Sequence, residues 1–530
     1  MLPQTPAGRH LPFPARLTQL RDLLPELLAI LEGGRERDWY AFVWLEETLI
    51  RSAVCARLEA CNQETDRGVV FRIQAAGIHH EYATNQLTPA ALRAAARAFR
   101  ARVEAVPAAA TAVAYRPLPW AEELARPLPC ELREQMPTGV PAATAWVHFS
   151  PPCVRDPRRV TAAILRHLAA HTRSRILDEA ARFRAQSGHA AWPELGEVRV
   201  TARQTLHTQL FADRERRLSQ VLPVTLLYAM GVSAAGTSGR AVAGGLGGRE
   251  IAQLTPDGLR EVAVVPLLLA RAERLAPGHY TVISGPDVTG VIAHEAFGHT
   301  QEGDTWMKAR SIAADLRRDK IRVGNDHASI VNHPGVFSME NKPFGSNGSY
   351  FFDHEGELAR PQLLLDCGWL GAPMTDLAAA QALALPRSAN GKRESWRRPL
   401  MTRQTNTYFT PGDCTLEQLM APVAYGFLAR HAHGGMEDPK GGSLTAGTEY
   451  LEEIVNGRLT GRLFLGPTGG HIELSDPVFE LLARIGGKTA SVHPNGVPEN
   501  KYGGCGKYHK ESVAAGCGGP WIRWTSVTCG

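Results

Sequence analysis

The segment HYTVISGPDVTGVIAHEAFGHTQEGD, residues 279–304, decides the fold and the chemistry expected of this 530-residue chain. Residues 280–284 alternate in the manner of a β-strand. Pro286 and Asp287 follow a glycine, and both residue types are favoured in the first turn of a helix. The sequence therefore predicts a strand, a tight turn and a helix in direct succession.

The predicted helix carries an HExxxH pattern made by His294, Glu295 and His299. In the zinc-binding pattern HExxH the two histidines lie about 40° apart around a helix, whereas a spacing of five residues separates them by about 140°. A single π-turn would return both imidazoles to nearly the same face. Gly298 would provide the backbone freedom for that turn. We therefore predict a locally widened helix that presents two metal ligands.

Two imidazoles leave a metal site at least one protein ligand short. The residues alone leave the third ligand open among nearby and distant donors: Glu302, Asp304, His327, His333, His354, His433 or a cysteine. The nine cysteines are odd in number and widely scattered, which argues against a secreted disulfide framework and favours reduced thiols. A chance HExxxH match on an ordinary helix also stays open at this point.

The composition restricts the class of protein. Hydrophobic residues make up 44% of the chain and charged residues 21%, as is typical of a globular protein. The net charge of +5 is small for this length and gives no case for nucleic-acid binding. The longest apolar run, residues 262–270, is too short to span a membrane, and the first residues lack the apolar core of a signal peptide. We expect a cytoplasmic protein that binds neither membrane nor nucleic acid.

Local patterns indicate mixed secondary structure before residue 275. Stretches with helical spacing alternate with stretches typical of strands, the helices at 17–31, 89–106 (opening at Thr88), 158–187 and 256–275, and the strands at 39–50, 68–76, 197–210 and 219–228. The glycine-rich residues 231–248 lack the lysine of a phosphate-binding loop, so we expect a hairpin or an interdomain loop there.

The length predicts two or three domains. Beyond residue 275 the chain becomes dense in short strand patterns and glycine turns. We therefore place the main boundary there, between an N-terminal region, residues 1–275, and a C-terminal region, residues 276–530. The proline- and alanine-rich stretch near 110–150 predicts a further division of the N-terminal region.

The motif HEAFGHTQEGD, residues 294–304, resembles the metal motif of the TldD/PmbA family. Four further blocks resemble family blocks and follow in the family's order: FFDHEGELARPQLLLDCGWLGAPMTD at 351–376, SANGKRESWRRPLMTRQTNTYFTPGD at 388–413, HGGMEDPKGGSLTAGTEYLEEIVNGRLTG at 433–461 and CGKYHKESVAAGCGGP at 505–520. The resemblance covers residues 276–520, and chance does not produce several blocks in one order.

The resemblance implies an α+β fold, with an α+β N-terminal domain and a C-terminal domain rich in antiparallel strands that carries the metal helix. In the family the two motif histidines and the cysteine of the closing CGK block hold the metal; the matching residues here are His294, His299 and Cys505. A Cys/His₂ set with one open position suits Zn²⁺ best, and Fe²⁺ is also compatible. Glu295 would be the general base for a metal-activated water in peptide-bond hydrolysis.

The resemblance also implies a substrate class and a partner. Catalytic members of the family pair with members that lack the metal motif, and together they enclose the metal in a cavity that admits unfolded peptides. Because this chain has the motif, we expect the catalytic subunit of a dimer, either a heterodimer with a PmbA-like subunit or a homodimer. The expected substrates are extended peptides, including small modified peptide precursors, bound along a sheet edge.

Four residues of the family blocks are candidates for substrate binding: Lys392, Arg393, Asn406 and His433. Lys392 and Arg393 belong to the basic run at 387–403, which is otherwise typical of a solvated surface, and either could meet a peptide carboxylate or carbonyl. Asn406 could equally serve a turn, and His433 a structural contact.

Some positions depart from the family pattern. Thr300 and Gln301 follow His299 where the family commonly has Gly-Leu, so we expect a different wall on the substrate side of the site. Cys517 and Cys529 follow Cys505 at intervals of twelve residues. Incidental thiols are the simpler interpretation, and a second metal site or a disulfide is the alternative.

Two other functions stay open from the sequence. The chain could be a catalytically silent scaffold or regulatory subunit of the same family. It could also be a metal-dependent amidohydrolase that acts on a small molecule. Both share the metal motif with the peptidase hypothesis, so the motif alone does not separate the three.

Overall fold

A computed structural model describes residues 10–106, 115–153, 156–186, 188–189, 191–246, 254–339, 342–343, 348–491, 499–500, 504–507 and 511–530. The helices and strands up to residue 269 are α1 (Thr18–Glu32), β1 (Trp39–Cys55), β2 (Glu59–Ala75), β3 (Ile78–Thr84), α2 (Pro89–Glu104), α3 (Trp120–Ala125), α4 (Cys130–Arg133), β4 (Trp146–Phe149), α5 (Ala162–Ala185), β5 (Leu195–Ala212), β6 (Arg217–Ser233), β7 (Ser238–Leu246), α6 (Pro256–Ala263) and α7 (Val265–Leu269), with 3₁₀ turns at Ala15–Leu17 and Pro157–Arg159.

The N-terminal strands form one mixed sheet in the order β3-β2-β1-β5-β6-β4, and β7 also pairs with β6. The predicted strands are confirmed, but they are longer than their patterns, because β1 stays paired with both β2 and β5 as far as Cys55. Most of β2 before residue 67 is exposed and polar, so no buried face marked that extension in the sequence. Residues 231–246 of the glycine-rich stretch lie in the β6–β7 hairpin, as expected. Residues 247 and 248 lie outside the described part of the chain.

Strand β1 has an apolar or aromatic side chain at every position from 39 to 45. The odd-numbered side chains from 39 to 45 pack into a core shared with α1 and α2. The even-numbered side chains from 40 to 44 pack on the opposite face, in a core shared with Phe351, Phe352 and Trp396 of the C-terminal part. Because both faces of the sheet are covered, alternation between polar and apolar residues disappears.

The predicted helices near residues 17, 89 and 158 are confirmed as α1, α2 and α5. Thr88 caps α2, since its hydroxyl accepts the N–H of Ala91 at 3.3 Å, and Pro89 occupies the first turn. The helix expected at 256–275 is instead two short helices that end at Leu269. Pro266 has no N–H for a continuous helix, which accounts for the break.

The C-terminal part is rich in short strands. Its elements are β8 (Glu273–Arg274), β9 (Gly278–Ser284), α8 (Pro286–Ala293), α9 (Gly303–Met307), α10 (Ile312–Arg318), β10 (Ile330–Asn332), β11 (Ser338–Met339), β12 (Lys342–Pro343), β13 (Gln362–Asp366), β14 (Trp369–Leu370), α11 (Leu377–Leu383), β15 (Gly391–Lys392), β16 (Met401–Thr402), β17 (Asn406–Phe409), α12 (Leu416–Met420), β18 (Tyr425–Asp438), β19 (Ser443–Val455), β20 (Arg458–Leu465), β21 (Ile472–Pro477), α13 (Val478–Ala483), β22 (Ile485–Lys488), β23 (Glu499–Asn500), β24 (Gly516–Gly518) and β25 (Ile522–Cys529).

Two sheets of this part enclose α8. The larger sheet runs β18-β9-β25-β21-β19, and because β18 also pairs with β19, the hydrogen-bonded path returns to its start. The second sheet has the order β14-β13-β10-β17-β24-β23. Helix α8 contacts β18 and β19 of the first sheet and β17 and β24 of the second. Most pairs are antiparallel, as expected, and β9–β18, β17–β24 and β8–β20 are parallel.

The mixed α+β class is therefore confirmed, with sheet-rich N- and C-terminal parts. Strands from Glu273 onward pair only with one another among the described residues, so the boundary near residue 275 remains our working division. The further division near 110–150 stays a prediction, and residues 107–114 lie outside the described part of the chain. None of the described helices is long and apolar enough to cross a membrane.

Candidate metal centre

The strand, turn and helix predicted at 280–299 are present as β9 and α8. Gly285 precedes the helix, and Pro286 occupies its first turn. Gly290 lets α8 approach β24 closely, because a Cβ at this position would lie 2.3 Å from the backbone nitrogen of Gly518. Every residue of the helix except Asp287 is buried, which fixes the direction in which its last turn points.

The turn after α8, His294–Gly298, is a π-helix, so the predicted widening is confirmed. The imidazole rings of His294 and His299 lie 5.0 Å apart between centroids and are nearly perpendicular, at 89°. An ordinary α-turn would send these two rings to different sides of the helix. The extra residue of the π-turn therefore brings both imidazoles to the same side.

The reason for glycine at position 298 differs from the one we expected. Gly298 does not have a positive φ, so the turn does not depend on a left-handed backbone. Instead the side chain of Gln404 fills the space, and a Cβ on Gly298 would lie 2.1 Å from its Oε1. Gln404 Nε2 donates to the carbonyl oxygen of His294 at 3.1 Å. Glycine is thus needed for close approach of a side chain that supports the widened turn.

Cys505 lies between the two imidazoles. Its Sγ is 3.2 Å from His294 Nε2 and 3.2 Å from His299 Nε2. A short β-bridge holds the cysteine, through mutual backbone hydrogen bonds with Val513 of 2.8 and 3.1 Å. Gly504 precedes it with φ +69°, where a Cβ would also lie 2.2 Å from the hydroxyl of Ser512.

The donor atoms of His294, His299 and Cys505 all lie within 4.8 Å of one another. Among the described residues no other set of three or more such side chains comes together in this way. The alternative ligands that the sequence left open are therefore outside the cluster. Cys517 and Cys529, which are buried in β24 and β25, do not belong to it either.

Two carboxylates flank His299 in different ways. Glu295 Oε2 lies 4.0 Å from His299 Nε2, and its chain passes Gly435 so closely that a Cβ there would lie 2.8 Å from Glu295 Cγ. Glu302 Oε2 lies 3.1 Å from His299 Nδ1, on the far side of the ring from Cys505. A carboxylate on the second ring nitrogen fixes the tautomer and the orientation of a metal-binding histidine.

Lys507 balances the negative charge of this arrangement. Its Nζ lies 2.8 Å from Glu302 Oε2 and 2.6 Å from Asp304 Oδ1. Burial alone would raise the pKa of Glu302, but Lys507, His299 and Arg403 outweigh it and hold that pKa well below its usual range. Glu302 is therefore an ionised partner of His299.

Sequence reasoning missed Lys507. Glu302 and Asp304, two of the ligands that the sequence left open, both contact Lys507, and Glu302 also contacts His299. The available signal was the position of Lys507, two residues after Cys505 in the closing CGK block. No periodicity within one element links that lysine to Glu302.

The Thr300-Gln301 departure has two separate consequences. The Thr300 hydroxyl lies 2.9 Å from the carbonyl oxygen of Ala296 and 2.9 Å from Glu437 Oε2. Burial raises the pKa of Glu437 well above its usual value. Gln301, in contrast, is fully buried and donates to the carbonyl oxygen of Leu364 at 2.7 Å. Thr300 thus connects the site helix to an acid on β18, and Gln301 belongs to the core.

Two of the proposed substrate-binding residues make contacts inside the protein. Lys392 Nζ donates to the carbonyl oxygen of Ala514 at 2.7 Å, and burial, followed by the charge of Arg403, lowers the Lys392 pKa to about 7. Arg393 donates two hydrogen bonds to the side chain of Glu81, at 2.7 and 2.8 Å, and thereby contacts the N-terminal sheet. A role in substrate binding stays a prediction for both.

The other two proposed residues differ in exposure. Asn406 is fully buried and donates to the carbonyl oxygen of His333 at 2.8 Å and to the hydroxyl of Ser349 at 3.0 Å. His433 is exposed, pairs with Glu449 at 2.8 Å and stacks on His471. These contacts give each residue a structural role, and their contact with substrate likewise stays a prediction.

Comparison with known proteins gives the family context. The profile described as "PmbA/TldA metallopeptidase C-terminal domain" matches residues 277–523. A metalloprotease of Methanocaldococcus jannaschii is 28% identical over 259 residues, which are 48% of this chain and 52% of that protein. A zinc metalloprotease TldD homolog of Saccharolobus solfataricus is 30% identical over 164 residues, 31% of this chain and 35% of that protein.

The fold extends further than the sequence similarity. The chain spans about half the length of the curated relatives it matches first. The solved structure of TldE from Thermococcus kodakarensis, only 11% identical, covers 96% of this chain and 99% of its own with a TM-score of 0.66, which shows a shared fold alone. The matched C-terminal domain and the TldD-named relatives support membership of this chain in the TldD/PmbA family.

Proposed function

We propose that this chain is a metal-dependent peptidase in which His294, His299 and Cys505 bind the metal and Glu295 is the general base. The observation that carries the proposal is the convergence of one thiol and two imidazole nitrogens beside a buried carboxylate. The metalloprotease names of the relatives support the same reaction class.

The donor set fits a zinc ion. With Zn–S near 2.3 Å and Zn–N near 2.0–2.1 Å, tetrahedral ligand atoms lie roughly 3.5 Å apart. The two S···N distances of 3.2 Å are close to that value. Zn²⁺ is therefore the proposed ion, with Fe²⁺ as the alternative. A bound divalent ion would supply Lewis-acid polarisation of the scissile carbonyl and would make a water molecule more acidic.

The protein side chains divide the remaining work. Glu295 can accept a proton from the attacking water and deliver it to the departing amine. Glu302 and Lys507 hold the His299 ring by its Nδ1, so that Nε2 faces Cys505. Glu295 therefore handles protons, while Glu302 and Lys507 keep the donor set in place.

The proposal extends to the substrate and the partner. We infer extended, unfolded peptides as substrates, in the cytoplasm, and pairing with a PmbA-like subunit that lacks the metal motif or with a second copy of this chain. The resemblance to the family supports both ideas, and the shared fold with TldE is compatible with such a pair.

Metal analysis and peptide cleavage test the proposal together. The purified chain should contain about one zinc ion, and His299→Ala and Cys505→Ala should each lose it. An unstructured peptide library should be cleaved only while zinc is bound. Glu452→Gln, which alters a carboxylate paired with Arg430, serves as a control for general effects on the same sheet.

Three outcomes would contradict parts of the proposal. Full zinc content in both ligand variants would mean that the ligand set is wrong. Zinc binding without peptide cleavage, also in the presence of a PmbA-like subunit, would indicate a silent scaffold. Chelator-sensitive hydrolysis of small amides, with no effect on peptides, would indicate an amidohydrolase.

A further inference from the structure

A small basic hairpin reaches the loop that carries Cys505. Strands β15 and β16 pair with each other, and Arg403 follows β16 directly. The Arg403 N–H donates to the carbonyl oxygen of Asn390 at 2.8 Å, and Asn390 Nδ2 donates to the carbonyl oxygen of Arg403 at 2.9 Å. The backbone N–H and the backbone carbonyl of Arg403 are therefore both held by Asn390.

Among the described residues the Arg403 guanidinium contacts two residues of the candidate metal centre, Cys505 and Glu302, and also Glu511. It donates to the carbonyl oxygen of Cys505 and, at 3.0 Å, to that of Glu511. Its Nε lies 3.8 Å from Glu302 Oε1. The side chain is only 2% exposed. One buried cation therefore contacts the backbone of the cysteine and the carboxylate that orients His299.

The Cys505 loop needs such support. Its described backbone contact with the rest of the fold is the two-bond bridge to Val513, and an isolated pair of hydrogen bonds is a weak restraint. Lys392, on the same basic hairpin, adds a hydrogen bond to the carbonyl oxygen of Ala514, which directly follows Val513. Charge-assisted hydrogen bonds of this kind are stronger and better directed than neutral ones.

Arg393 provides an internal comparison. It is as deeply buried as Arg403 and lies in the same basic run, but its partners are Glu81 and the carbonyl oxygen of Arg398. Burial of an arginine in this run therefore does not by itself imply a link to the site. Arg403 is distinguished by the identity of its partners.

We propose that Arg403 is a positioning residue of the metal centre, which fixes the distance between the Cys505 loop and the Glu302–His299 pair. Without it the thiolate and the His299 imidazole would no longer converge on one ion. Lys392 assists from the other end of the loop. The inference rests on the ligand set of the proposed function, and it does not depend on which substrate is cleaved.

Zinc affinity is the first test. Competition with a chromophoric chelator should show zinc binding that is about 10–100-fold weaker in Arg403→Met than in the wild type, as for other partners behind metal ligands. Arg403→Lys keeps the charge and one of the donors, so it should recover part of the affinity. Arg393→Met, which removes a guanidinium of equal burial, should leave zinc affinity within about threefold of the wild type.

Cobalt spectroscopy is the second test, because a merely structural role would not change it. In the Co²⁺-loaded wild type, a thiolate-to-cobalt charge-transfer band should report Cys505, and Cys505→Ala should lack it. Arg403→Met should lose most of that band while the ligand-field bands persist. If Arg403→Met does not fold, Arg403→Lys gives the same comparison with a weaker effect.

The outcomes separate this inference from the proposed function. A full charge-transfer band together with unchanged zinc affinity in the Arg403 variants would overturn the inference. A normal band in Cys505→Ala would overturn the ligand set and the inference together. The wild type could bind zinc and cleave no peptide, which would contradict the peptidase proposal. Loss of the band in Arg403→Met would still support the inference in that case.

Discussion

The protein contains two buried clusters of charged side chains, which differ in the groups that the charges contact. Around the metal centre, Glu302 lies between His299 and Lys507, and Arg403 closes the far side. Here the charged groups act on other side chains that converge on one point. Lys507 contacts Glu302 and Asp304, and Arg403 contacts Glu302 and the carbonyl oxygen of Cys505.

The second cluster lies where the N-terminal sheet meets residues 351–357. Arg216 lies 3.6 Å from Glu123 and 3.9 Å from Glu357, and Arg387 lies within 3.6 Å of Glu357 and Asp353. Each acid of this junction cluster is matched by an arginine. Both clusters contain buried charge, so buried charge alone does not indicate a metal site. The candidate metal centre is distinguished by two imidazole nitrogens and a thiol that lie within 4.8 Å of one another.

The junction cluster also explains a sequence block with no part in the proposed chemistry. The side chain of Asp353 accepts the N–H groups of Glu355, Glu357 and Gly391, each at 2.9 Å. The neighbouring His354 stacks on Trp44 of the N-terminal sheet, with 4.6 Å between the ring centroids. The DHEGE segment thus serves to dock one part of the chain against the other.

Replacement of Glu295 should have the largest effect of the changes considered for the two clusters. Glu295→Gln keeps the shape of the side chain but cannot take a proton, so we expect peptide cleavage to fall by about 10²–10⁴-fold. Zinc content should stay at the wild-type level, because Glu295 is not a proposed ligand. Steady-state kinetics and metal analysis on the same preparation measure both. Undiminished cleavage would remove Glu295 from the mechanism.

The corresponding change in the junction cluster should affect stability instead. Arg216→Met removes a fully buried partner of Glu123 and Glu357, which keep Arg360 and Arg387. Breaking a buried pair typically costs about 3–5 kcal/mol, and the remaining arginines place the expected loss at about 3 kcal/mol. Denaturant unfolding measures the loss. Arg126 contacts the same acids from a more exposed position, so Arg126→Met should lower the free energy of unfolding by about 1 kcal/mol or less. Weaker zinc binding in folded Arg216→Met would show that the two clusters are coupled.

Gly298→Ala tests whether the widened turn depends on Gln404. The added methyl group would collide with Gln404 Oε1, so we expect a loss of about 1–3 kcal/mol in unfolding free energy. Zinc affinity should fall about tenfold, because Gln404 supports the His294 carbonyl. Gly470→Ala is the control, since a Cβ there meets nothing within 4 Å. Equal behaviour of the two variants would contradict the close-approach explanation.

The last expected effect concerns pH and lies at the junction. Burial raises the pKa of Glu46 from 4.5 to about 7, although hydrogen bonds from Gln209 and Trp396 oppose the change. The folded state therefore binds this proton more tightly than the unfolded state. Its stabilising contribution is complete below pH 4.5 and is lost as the pH rises through about 7.

Glu46→Gln should remove that dependence. At pH 8 we expect the variant to be more stable than the wild type by about 2–3 kcal/mol, and at pH 4.5 the two should be nearly equal. Melting temperatures measured across this range check the sign. A wild type that becomes more stable relative to the variant as the pH rises would contradict the assignment.

Much of the local structure could be predicted from the sequence, because it depends on neighbours within one or two turns. The cap at Thr88 and the start of α8 at Pro286 follow from such short-range rules. The spacing of His294 and His299 predicted the π-turn, since no regular helix brings two residues five apart to one face. The two proposed histidine ligands and the proposed role of Glu295 likewise follow from the pattern.

What only the tertiary structure decided is which distant groups meet. Cys505 contacts His299 across 206 residues of chain, and no periodicity extends over such a separation. The same holds for Lys507 beside Glu302, and for Arg403 on the Cys505 carbonyl. These side chains meet because two sheets enclose α8 and return the chain to its last turn. The sequence by itself determined the chemistry of each donor, and the packing of the two sheets around α8 determined their convergence.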